Sequence, residues 1–138
     1  MTLYQFLYST AIAVNIGLGL LVMVANPKRR LNRHFLLFTL IVALWQITGW
    51  KILHSKDAVV ADLFIRIASV VVLFVPAQCW IMGLSIHYPT DSFRAFSRRI
   101  RPFLMVTFLL AGLPLTPFFI KSVSFVQSLP SMPSIAEP

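Results

Sequence analysis

The stretch Leu3–Ala25, LYQFLYSTAIAVNIGLGLLVMVA, carries no charged side chain. At 1.5 Å per residue a helix of this length reaches about 34 Å, and the hydrocarbon core of a bilayer is about 30 Å thick. Asn26-Pro27 ends the run, because the residue before a proline disfavours helix. A cleaved signal peptide would carry a positive leading region and a shorter apolar stretch, and neither is present. The segment therefore reads as a membrane span.

Three further apolar segments follow. Residues 35–53 come after Lys28, Arg29, Arg30, Arg33 and His34. Residues 63–88 contain Pro76 and close at Tyr88-Pro89. Residues 103–120 follow Arg94, Arg98, Arg99 and Arg101, with Pro102 placed where a first helical turn tolerates proline. Pro114 and Pro117 are expected to kink or break the far end of this segment. The tail 126–138, rich in Ser and Pro, is expected to be irregular and outside the bilayer. Domain organisation is thus a transmembrane unit over 1–125 and an extramembrane tail.

Composition agrees. The chain of 138 residues is 58% hydrophobic and 12% charged, about half the charge of a soluble domain, roughly 25%. Its mean hydropathy is +0.82. A soluble globular enzyme and intrinsic disorder are both excluded on this ground. One cysteine, Cys79, cannot make an internal disulfide. Barrel strands alternate apolar and polar residues over about ten positions, whereas these runs are continuous. The fold class expected is all-α: an integral membrane bundle of four transmembrane helices.

The net charge of +8 does not indicate nucleic acid, because the basic residues cluster between apolar segments. Lys28, Arg29, Arg30, Arg33, Arg94, Arg98, Arg99 and Arg101 lie on one side and, with Asp91, give +7. The other side gives +1. Basic loops stay cytoplasmic and face anionic headgroups. The expected orientation puts the amino terminus outside, in a bacterial inner membrane, with membrane lipids as partners of the basic loops.

Residues that could carry chemistry are few. The spans hold no paired carboxylates for acid–base work. G-x-S-x-G, P-loop, H-E-x-x-H and C-x-x-C motifs are absent. No metal site and no enzymatic activity are expected. His34 and His87 fall near the same face, and a haem or pigment ligated by two histidines needs such a pair at one depth. Solvated interfacial histidines are the alternative, and no cofactor is predicted beyond a pigment or lipid at an interface. Asn15, Gln46 and Gln78 are mid-span amides that serve either as helix-packing glue or as a polar pocket. Ser9, Ala13 and Gly17 repeat every four residues, with Asn15 and Gly19 alongside, a spacing that lets helix backbones approach. Asp62 and Arg66 share a helix face and can pair. Pro76 removes a backbone hydrogen bond and is a candidate hinge.

The run Asn26-Pro27-Lys28-Arg29-Arg30-Leu31-Asn32-Arg33-His34-Phe35, followed by Ala43-Leu44-Trp45, resembles the amino-terminal seven-transmembrane sensor region of bacterial histidine kinases. That family shows an Asn-Pro basic loop after its first span, then Asn and Phe opening the second, then Ala-Leu-Trp. Arg66 and Pro76 look like features of its third span, and Ser97-Arg98-Arg99-Ile100-Arg101 like its next basic loop. Three spans, the phospho-accepting histidine and the ATP-binding domain have no counterpart here. The resemblance therefore implies a bundle that packs against partners, with no kinase chemistry. Two functions are expected to compete. One is an accessory subunit packed against other transmembrane proteins of a respiratory or photosynthetic complex. The other is a sensor or signal-relay module.

Overall fold

The computed structural model describes residues 3–55 and 57–116, and these are all-helical. The order is α1 (Leu3–Ala25), α2 (Arg30–His54), α3 (Ala58–His87) and α4 (Phe93–Gly112), closed by a short 3₁₀ turn, η1 (Leu113–Leu115). Helices α1, α2 and α3 are long and apolar enough to cross a membrane. With 30 residues, α3 reaches about 45 Å, so it tilts or protrudes from a ~30 Å core.

Short connections fix the antiparallel neighbours. The turn between α1 and α2 is closed by Arg29 N–H donating to Asn26 O at 3.2 Å and to Asn26 Oδ1 at 3.3 Å. Buried Asn32 then reaches back one turn. Its Nδ2 donates to Val22 O at 2.8 Å and to Asn26 O at 3.1 Å. Those are carbonyls at the end of α1 that have no helical partner. Asp57 caps α3 by accepting from Val59 N–H at 2.9 Å, and Ser92 caps α4 by accepting from Ala95 N–H at 3.3 Å.

The helices form an open row. Packing is most extensive between α2 and α3, then between α1 and α2, with α4 laid on α3. The buried residues include Asn32, Thr39, Ala43 and Thr48 on α2 and Ala77, Gln78, Ile81 and Ser85 on α3, many of them small. Small side chains bring the backbones close, the condition for helix association where lipid removes the hydrophobic driving force. Among the described residues the buried set holds seven polar or charged side chains against six apolar ones, while Leu, Val, Ile and Phe dominate the exposed set. This inside-out distribution belongs to a protein whose solvent is hydrocarbon.

Three helix starts differ from the sequence reading, and of these α3 begins at Ala58, five residues before its apolar run. Arg30, Arg33 and His34 lie in the first turns of α2, and the loop is only residues 26–29. The basic stretch before the fourth segment is also helical: α4 begins at Phe93, so Pro102 sits inside the helix and not in its first turn. Arg94, Arg98 and Arg101 recur at three- and four-residue spacing on an exposed side, while Phe96 is buried. Reading charge as a loop signal hid this amphipathic period. The expectation of four spans is reduced accordingly. From Phe103 to Gly112, α4 offers about 15 Å of apolar helix, half a bilayer, and it is not among the helices that qualify. Pro114 does end the α-helix, in η1. Pro117, the remainder of the fourth segment and the tail 126–138 lie outside the described residues.

Candidate functional site: a cleft between α2, α3 and α4

The buried hydroxyl residues were not singled out from sequence. The hydroxyls of Thr39, Thr48, Ser85 and Thr107 each donate to a carbonyl three or four residues earlier in their own helix, at 2.7 to 2.9 Å. That satisfies a polar group locally and leaves a small, quiet surface for packing. A Leu36 and Thr39 wall faces Gly19 of α1, where an added Cβ would collide with Thr39 Oγ1.

The amides divide into two tasks. Asn15 Nδ2 donates to Gln46 Oε1 at 2.9 Å, joining α1 to α2. Gln78, only 3% exposed, serves α2 and α3. Its Nε2 donates to His34 O at 2.8 Å and lies 3.2 Å from His34 Nδ1. The Ser9, Ala13 and Gly17 row does not reach a helix interface among the described residues. All three are exposed, Ser9 Oγ donates to Gln5 O and Phe6 O of its own helix, and Gly17 faces open space. Pro76 is exposed inside a continuous α3, and the geometry shows no break there.

The two histidines are not brought together. His34 is half-buried, with its ring 5.9 Å from that of Phe96. His87 is the exposed last residue of α3, with its ring 6.4 Å from Tyr88. No cluster of three metal-binding side chains occurs among the described residues.

The basic residues also divide. Lys28, Arg29, Arg33, Arg94, Arg98 and Arg101 are exposed. Arg99 pairs with Asp91, Nε to Oδ2 at 3.1 Å, and its guanidinium lies 4.1 Å from the Tyr88 ring centroid. Arg30 is held by two contacts. Its Nη2 donates to Asp91 O at 2.6 Å and its guanidinium sits 4.3 Å over the Phe96 ring. Its buried Nη1 has no acceptor.

Because α4 packs mainly on α3 and meets α2 at Phe96, against Arg30 and His34, a cleft opens between α2 and α4. Its mouth, about 230 Å³, is lined by Arg30, Arg33, His34, Phe96 and Ser97 among others. Its floor, about 390 Å³, is lined by Leu37, Ile41, Phe74, Leu104 and Phe108 among others. His34 and Ile100 line both. The floor alone falls within the roughly 300–1,000 Å³ of small-molecule pockets.

At the other end, Asp62 and Arg66 do pair. Arg66 Nε meets Asp62 Oδ2 at 2.8 Å, and Arg66 Nη1 donates to Pro114 O at 3.4 Å. The pair pins the end of α4 to α3. Arg66 Nη2 and Asp62 Oδ1 remain buried without partners.

Compared with protein-family models, with curated proteins and with solved structures, the chain matches none.

Proposed function

We propose that the chain is a non-enzymatic integral membrane protein that acts by helix association, an accessory subunit of a larger assembly in the bacterial inner membrane. The observation that supports this is the open row of helices. The described residues contain no large, fully buried side chain, and α1 is held along one side only, by α2. In lipid such a row gains stability by packing against further spans. On this reading the amino terminus lies outside.

A second reading, a sensor or signal-relay module related to the transmembrane region of histidine kinases, draws on one feature. Asn26 and Asn32, two residues that carry that resemblance, build the clasp between α1 and α2. In this reading the clasp keeps the first hairpin rigid while other spans move.

Photo-crosslinkers placed singly at Ala13 and Gly17 in native membranes test the association reading. Adducts of one defined mass with a membrane protein, lost when the crosslinker is moved to buried Thr48, are expected. A chain that yields no protein adduct from either position contradicts it. A tag at the amino terminus that is reached only after the membrane is permeabilised from the cytoplasmic side contradicts the orientation.

A further inference from the structure

We propose that the cleft between α2, α3 and α4 holds one anionic phospholipid, its phosphate at Arg30 and Arg33 and an acyl chain along the apolar floor. The inference rests on the chain lying in a bilayer but not on its association with a partner.

The mouth is built for an anion. Arg30 is held by Asp91 O and Phe96 and lines the mouth with Arg33. Two guanidinium groups in a lining that holds no carboxylate favour a phosphate, whose oxygens accept charge-assisted hydrogen bonds. Arg33 is exposed beside it, and its side chain makes no hydrogen bond or ion pair among the described residues. No acidic side chain lines the mouth. The nearest carboxylate, Asp91, is committed to Arg99. The first turn of α2 adds charge of the same sign, since it has no acidic residue and no side-chain cap.

The floor specifies the rest of the ligand. Leu37, Ile41, Phe74, Leu104 and Phe108 offer nothing to a polar molecule, and the cavity they bound runs on from the mouth through His34 and Ile100. Inorganic phosphate would satisfy the arginines and leave the floor empty. A neutral hydrocarbon would fill the floor and leave the two guanidinium groups of the mouth without a counter-charge. A zwitterionic headgroup brings its own ammonium against two guanidinium groups. An anionic headgroup on an acyl chain matches both halves, and the mouth lies at the end of the bundle where the basic side chains meet the membrane surface.

The test uses the full chain in phosphatidylcholine nanodiscs with a minor fraction of phosphatidylglycerol, followed by native mass spectrometry. One retained phosphatidylglycerol per chain is expected, under activation that strips phosphatidylcholine. Arg33→Gln is expected to weaken retention about five-fold, the effect of one basic residue near an anionic headgroup. Leu104→Trp fills the floor and is expected to abolish the adduct while the chain still inserts. Added inorganic phosphate is expected not to compete. Equal retention of both lipids, or a phosphatidylglycerol adduct unchanged by both substitutions, overturns the proposal. So does a lipid-free dimer whose formation Leu104→Trp blocks, because a second copy would then occupy the cleft. A chain that fails to enter nanodiscs at all contradicts instead the membrane placement.

Discussion

The Asn15 side-chain amide donates to Gln46 Oε1 at 2.9 Å, and this pair links α1 to α2 across the seam between two apolar helices. Neither residue has water available at mid-span depth, so each depends on the other. A double-mutant cycle of Asn15→Leu and Gln46→Leu is expected to give a coupling of about 0.6–1.7 kcal/mol, the range of interhelical hydrogen bonds in membranes. Reversible unfolding in detergent measures it. A coupling near zero would show that the amides find equal partners elsewhere.

Gly19 is the closest approach of the same two helices. A side chain there meets Thr39 Oγ1, with Leu36 Cδ1 at 3.0 Å and Thr39 Cβ at 3.2 Å. Gly19→Val is expected to destabilise by about 1–3 kcal/mol through overpacking, read as a lowered Tm. Gly17→Ala, in open space, is expected to be neutral or slightly stabilising. Similar losses at both positions would place a helix against Gly17 that the described residues do not contain.

Arg66 is 9% exposed and anchors α4 through Pro114 O while it pairs with Asp62. Removing Arg66 leaves the half-buried Asp62 carboxylate unpaired. Arg66→Met alone is expected to cost on the order of 3 kcal/mol, and Arg66→Met with Asp62→Asn is expected to recover much of it. Thermal unfolding of the three variants decides this. A double variant no better than the single one would make Pro114 O the essential partner.

Asn32 clasps the first hairpin through two carbonyls. Asn32→Leu removes both bonds, each worth about 0.5–1.5 kcal/mol. It is expected to raise hydrogen exchange at residues 22–29 while leaving the α3 amides protected. Uniform loss of protection would instead make the clasp necessary for the whole fold.

The helical class was legible because lipid imposes a simple length rule, which α1 obeys to the residue, while α2 and α3 each begin five residues before their apolar runs. The Asp62–Arg66 pair was legible from four-residue spacing. The pairing of Asn15 with Gln46 was legible only as a need for some partner, since the choice of partner depends on helix rotation. The start of α4 was obscured because Arg94, Arg98, Arg99 and Arg101 look like a loop when counted as charge and like an amphipathic helix when plotted by angle. The buried hydroxyl residues were missed for a different reason. Thr39, Thr48 and Ser85 hide their hydroxyls in their own helices, so no polar demand on the sequence marks them as an interface. The cleft depends on how α4 leans, which spacing along the chain does not encode.

Cys79 gives the most direct test of the central claim, that hydrocarbon is the solvent around these helices. It is the sole cysteine and is exposed on α3, about 12 Å from that helix's carboxyl end by the rise per residue. A nitroxide attached there in reconstituted vesicles reports collisions with apolar oxygen and with a water-soluble nickel chelate. The account predicts that oxygen collisions dominate, as they do within an acyl-chain region. Dominant nickel collisions at Cys79 would place α3 in water and contradict it.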